Sequence, residues 1–238
     1  MDYIEGNKQA WEEAFENRDA SWGADIVKRI ETEKYPFFNS DMISVLTRYS
    51  WENKTLGQFC SNNGRELLSL MQSGAREGIG FDIAENQVRF ANEKAKALKS
   101  NCRFVAGNIL EIGSEFNNRF DLIFITAGSL GWFKDLIPFF EKVAEGLKKE
   151  GSLIINEMHP VKNMLSAPGE PGYSKKTPAN ILNSYFEKEW VEKDGIFYIT
   201  KKKYESKTFS SYSHSLSKTL GTILQHGIHI TGFEVHDY

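Results

Sequence analysis

TLGQFCSNNGRELLSLMQSGAREGIGFD, residues 55–82, is the stretch that decides the fold. Residues 56–60 are short and apolar enough for a buried parallel strand. Ser61, Asn62, Asn63 and Gly64 supply a polar turn, and residues 65–71 open a helix. The apolar run 77–81 is a second strand and ends at Asp82, about 20 residues past the turn. A βαβ start of this kind aims the backbone N–H groups of the helix N-terminus at the carboxyl edge of the sheet, where they hold a carboxylate or phosphate. An acid at the tip of the second strand accepts both hydroxyls of a ribose.

The following segments continue the alternation of helix and strand. Residues 85–99 read as a helix and 103–106 as a strand, followed by Gly107-Asn108-Ile109. FDLIFI, residues 120–125, is a fourth apolar strand and runs into Thr126-Ala127-Gly128-Ser129. An amphipathic helix over 134–149 precedes a fifth strand at 151–156, GSLIIN.

Taken in this order, these features resemble the class I S-adenosylmethionine (SAM)-dependent methyltransferases. The first strand and turn of that family read hydrophobic, hydrophobic, acid, hydrophobic, Gly, x, Gly, x, Gly. Here Gln58 stands for the acid, Cys60 and Asn62 for the first two glycines, and Gly64 is kept. Asn62 tolerates left-handed backbone angles, and Cys60 is small enough to let a ligand approach. Losing the acid at Gln58 removes one charge that favours the cofactor's ammonium.

The resemblance implies SAM as cofactor, with Phe59, Cys60, Ser61, Asn62, Asn63 and Gly64 beside its methionine part. It implies Asp82 on the ribose, Ile83 against the adenine, Asn108 and Ile109 at the adenine's other edge, and Thr126 and Ala127 flanking the sulfonium. The fold it implies is α/β, a Rossmann-like three-layer sandwich with a mostly parallel sheet, an N-terminal helical lid and an inserted β-hairpin. The activity it implies is methyl transfer to a small-molecule acceptor.

Composition bounds the rest. The 238 residues are 40% hydrophobic and 26% charged, which suits one globular domain with a sizeable core. A formal net charge of −3 leaves no electrostatic footprint for nucleic acid. No stretch approaches the roughly 20 apolar residues of a membrane span, and the acidic N-terminus lacks a signal-peptide pattern, so the expected location is cytoplasmic. Two cysteines, Cys60 and Cys102, make neither a zinc-site spacing nor a disulfide framework, so no metal is expected and the thiols are read as reduced.

Outside the core, residues 1–54 read as helices over 7–17, 25–34 and 41–49, forming the lid. Methyltransferases that act on small molecules lay such a segment over the cofactor, which makes Trp22 and Phe37 candidate substrate-binding residues; the alternative is ordinary packing aromatics. The core spans 55–160 and ends at Glu157-Met158-His159-Pro160. His159 is the candidate general base there, or a loop cap. Residues 161–210 form an insertion, with a Pro- and Gly-punctuated linker at 167–178 and a hairpin of 185–192 with 196–206 around Asp194-Gly195. Residues 211–238 return to the core as a helix over 214–225, with His214 near its start in a surface or capping role, and a sixth strand at 228–235. The family's seventh strand has no counterpart before Tyr238, so truncation, another segment or a homodimer is expected to complete the sheet edge.

Two other functions fit parts of this pattern. A nicotinamide-dependent oxidoreductase shares the βαβ start and the acid, yet normally keeps the glycines that Cys60 and Asn62 replace. A non-catalytic SAM-binding or protein-interaction module accommodates Gln58 and the missing strand.

Overall fold

The computed structural model describes residues 2–166 and 172–236. Part of the linker read at 167–178 lies outside the described residues. Five parallel strands form the central sheet: β1 (Thr55–Phe59), β2 (Glu77–Asp82), β3 (Cys102–Ala106), β4 (Phe120–Ile125) and β5 (Leu147–Ile155). Their order is β3-β2-β1-β4-β5, so the chain reverses direction across the sheet between β1 and β4. In open α/β sheets that switch point, at the carboxyl ends of the strands, is where ligands sit.

Helices α1 (Tyr3–Glu16), α2 (Ile26–Thr32) and α3 (Ser40–Leu46) precede the sheet. Helices α4 (Arg65–Leu70) and α5 (Glu85–Ala97) cover one face, and α6 (Leu136–Gly146) the other. All five residues of β1 are buried, as a central strand between two helical layers requires. On the α6 face, Phe59, Phe81, Phe120 and Phe139 are fully buried and meet edge to face at 5.5–6.4 Å. Each contributes about 1.5–3 kcal/mol by burial. On the opposite face Leu56, Leu67, Leu68, Phe104 and Phe124 pack with Met42 and Leu46 of α3.

The insertion carries a two-stranded antiparallel sheet, and its strand partner differs from the expected one. Strand β6 (Lys188–Glu192) pairs with β7 (Phe209–Ser213), while Asp194-Gly195 leads into a short helix, α7 (Phe197–Thr200). The reason lies in spacing: Ile196 and Ile199 are three apart and both buried, a helical rather than an alternating pattern. The last helix, α8 (Leu216–Gln225), packs on α6.

The sixth strand expected at 228–235 is absent, since residues 228–236 run without regular structure. Polar side-chain contacts hold this tail instead, an ion pair of Arg48 Nη1 with Glu234 Oε1 at 2.6 Å and a contact of His236 Nδ1 with Asp41 Oδ2 at 3.2 Å. Ile228 packs against the α6 side of the core, while Asp41 and Arg48 belong to the α3 region. His214 is also corrected: it is buried rather than at the surface, with Nε2 2.8 Å from the Phe133 carbonyl.

Candidate active site

The turn after β1 has left-handed backbone angles at alternate residues, with φ of 59° at Cys60, 51° at Asn62 and 78° at Gly64. These are the three positions where the family pattern has glycine. A non-glycine residue in this region costs about 1–2 kcal/mol, so the turn keeps a glycine-type path with two residues that resist it. Only Gly64 is beyond replacement, because a Cβ there would lie 2.5 Å from the Phe104 ring. The turn is closed by Ser61 N–H donating to the Phe81 carbonyl at 2.8 Å and Gly64 N–H donating to the Ser61 carbonyl at 2.9 Å. Gln58 is fully buried, and its Oε1 accepts the Leu67 amide at 3.1 Å, so this residue braces α4.

Asp82 faces the same turn. Its Oδ2 accepts the Asn62 amide at 2.7 Å and its Oδ1 the Ala84 amide at 3.0 Å. Burial pushes its pKa up to about 6, against the pull of these bonds. A carboxylate offers about four acceptor sites, so both oxygens retain capacity for hydroxyl donors. Farther along the edge, Asn108 Oδ1 accepts the Leu110 amide at 3.1 Å and shapes the chain after β3. Ile109 and the Phe59 ring both lie in the core, so at these two positions the backbone borders the turn side of the site.

The loop after β4 begins with Thr126 and Ala127 and is organised by Glu157. The Glu157 carboxylate accepts the amides of Gly128, Leu130 (3.1 Å) and Met158 (2.8 Å). Burial raises its pKa, and the backbone bonds oppose the rise. Ser129 hydrogen-bonds the Cys60 thiol, which burial and the carboxylates of Asp82 and Glu157 push up. Sequence reading passed over Glu157 in favour of His159, although an acid directly after the apolar strand GSLIIN was the available signal.

Above this edge α1, α7 and β7 form one packed layer through Ala10, Ala14, Phe15, Ile196, Ile199 and Phe209. Asn7 clips it together: its Nδ2 donates to the Ser210 carbonyl at 2.9 Å and its Oδ1 accepts the Ser210 amide at 2.7 Å. Trp132, from the loop after β4, meets Trp11 at 5.1 Å and Phe209 at 6.1 Å. Trp22 and Phe37 are brought together by Arg65, whose guanidinium lies 4.9 Å and 5.7 Å from their rings. Arg65 also donates to Tyr198 Oη at 3.0 Å, and Trp22 stands edge-on to Tyr198 at 4.8 Å. His159 caps the turn at Pro160–Met164, Nδ1 accepting the Val161 amide at 3.3 Å. This contact is the loop-cap alternative of the two readings of His159.

Ser61 Oγ, Asn63 Nδ2 and Trp22 Nε1 are buried polar atoms without a protein partner. Such atoms beside a turn that follows a glycine-rich path suit a polar ligand that supplies the missing bonds. A family model described as a methyltransferase domain matches residues 58–213, more than half of the chain. The chain belongs to the methyltransferase-domain family. This methyltransferase has the class I architecture, and its cofactor is SAM.

The methyltransferase is similar in fold to an S-adenosylmethionine dependent methyltransferase from Mesorhizobium loti, at 16% identity and a TM-score of 0.59, over 83% of this chain and 82% of that one. It is similar also to a candidate S-adenosylmethionine dependent methyltransferase from Listeria monocytogenes, at 18% and 0.58, over 77% and 81%. A third similar structure is the PH0226 protein of Pyrococcus horikoshii OT3, at 18% and 0.56, over 88% and 83%. No curated protein matches the methyltransferase. Among its described residues no helix is long and apolar enough to cross a membrane.

Proposed function

We propose that this enzyme methylates a small molecule held between the loop after β4 and the cap formed by α1 and the insertion. The observation that carries the reading is the aromatic wall of Trp11, Trp132 and Phe209, which stands on that loop as part of the cap. An apolar, aromatic cap beside that loop suits a small acceptor, whereas a polymeric substrate needs an open charged groove.

SAM supplies an electrophilic methyl group on a sulfonium, and the acceptor's lone pair takes that carbon as the carbon–sulfur pair returns to sulfur. In this reading Asp82 accepts the ribose hydroxyls, the backbone of 61–64 and Asn63 Nδ2 hold the methionine part, and Ile83, Asn108 and Ile109 frame the adenine. Thr126 and Ala127 border the sulfonium. The cap excludes water and aligns the acceptor, which is the main contribution an enzyme makes when the acceptor is already nucleophilic. His159 serves as a loop cap rather than as the base. Trp22 and Phe37, joined by Arg65, form the cap's outer wall. The outer edge of β5 carries no neighbouring strand among the described residues, and pairing with a second copy there completes the proposal.

Methyl turnover over a panel of small aromatic amines, phenols, thiols and acids, with a peptide and an RNA as comparators, tests the reading. Turnover confined to a small acceptor supports it; turnover on the peptide or the RNA alone overturns it.

A further inference from the structure

Glu157 is the acid that organises the loop after β4. It follows β5, and the loop that begins at Thr126 wraps its carboxylate with the amides of Gly128 and Leu130. The groups that set its ionisation are burial and backbone amides, with no lysine or arginine among them. β4 pairs with β1, Phe59 opposite Ile125, so the loop that begins at Thr126 starts beside the end of β1. Through its bonds to that loop the Glu157 carboxylate lies on the β4 side of β1, whereas Asp82 ends β2 on the other side.

We propose that Glu157 determines donor specificity by charge, favouring the cationic sulfonium of SAM over the neutral thioether of its product, S-adenosylhomocysteine. The inference rests on the reading that Thr126 and Ala127 border the sulfonium. A partly buried carboxylate with no lysine or arginine paired to it among the described residues holds its negative charge against a desolvation penalty, and a cation entering nearby relieves it. After transfer the sulfur is neutral, that attraction ends and the product leaves more readily. Gln58 supplies no such charge, because its amide is neutral and occupied with α4. Loop support alone is the competing role, and it makes no distinction between charged and neutral ligands.

Calorimetric titration of SAM and S-adenosylhomocysteine into the wild type, Glu157→Gln and Glu157→Asp separates the two roles. The expected result is about a tenfold loss of SAM affinity in Glu157→Gln with product affinity within twofold, and a preference for SAM retained in Glu157→Asp. Equal losses for both ligands assign Glu157 to loop support and overturn the proposal. A wild-type comparison stands independently of whether the variants fold: an analogue with an ammonium in place of the sulfonium should bind about tenfold more tightly than the thioether. Equal binding of the two overturns the proposal while leaving the cofactor assignment intact. Failure of the wild type to bind any of these ligands overturns both.

Discussion

The carboxylate of Asp82 accepts the backbone amide of Asn62 at 2.7 Å, tying the tip of β2 to the left-handed turn after β1. The tip of β2 and the turn after β1 are therefore one hydrogen-bonded unit, and Asp82 shapes the turn.

Asp82→Ala should weaken SAM binding by about 1.5–3 kcal/mol, a tenfold to hundredfold rise in Kd, because charge-assisted bonds to the ribose hydroxyls are lost. Calorimetry on the folded variant gives the answer. An unchanged Kd places the ribose elsewhere.

The same residue predicts a pH dependence. Asp82 accepts hydroxyls best when ionised, and burial raises its pKa to about 6. SAM affinity should be flat above pH 7 and fall as pH drops through 6, by up to tenfold per unit, and Asp82→Asn should abolish that dependence. The stability contribution has the opposite direction. The folded chain holds this proton more tightly than the unfolded one, so this group's stabilisation is full below about pH 4 and is lost as pH rises through 6. Binding and melting curves over pH 4–8 check both signs.

Gly64→Ala should destabilise the fold by about 2–5 kcal/mol in urea unfolding. The added methyl would meet the Phe104 ring in a backbone conformation with φ of 78°. Cys60→Gly, at another of the three left-handed positions, should change stability by less than about 1 kcal/mol, since relief of the left-handed strain offsets lost packing.

Asn7→Ala should loosen the cap. It leaves the Ser210 amide and carbonyl unpaired in a buried site, at a cost of about 1–3 kcal/mol each. Hydrogen exchange at residues 209–213 should accelerate while that at β1 and β4 does not. Uniform acceleration would mean the cap and the sheet unfold as one.

Trp132→Ala should lower methyl transfer at least tenfold and leave SAM affinity within threefold, because this ring belongs to the aromatic wall. His159→Ala should leave turnover within about threefold on an acceptor that is already nucleophilic. A tenfold or larger loss with His159→Ala would restore the base role that its capping bond argues against.

What was legible in the chain was local. Strand, turn, helix, strand and acid over residues 55–82 show in periodicity and turn chemistry, and the left-handed turn was expected from Asn62 and Gly64. The pairing of β6 with β7 was not legible, because the stronger turn signal at Asp194-Gly195 competes with a partner some 20 residues away. The tail was read as a strand from its apolar residues, yet Phe233 and Val235 stay exposed and the tail is held by charged side chains. At the site, a histidine drew the reading away from the acid two residues before it. Glu157 acts through three backbone amides, and backbone partners leave no pattern of residue types to read.

The Asn7 clip has a consequence for how the enzyme comes into being. Its two halves lie 203 residues apart, so during synthesis the first helix leaves the ribosome long before the strand it joins. The sheet from β1 to β5 can assemble in that interval, while the apolar side chains of Trp11, Ala14 and Phe15 wait for a partner. A nascent chain stalled before Ser210 therefore presents Asn7 and the apolar face of α1 with no strand to meet them.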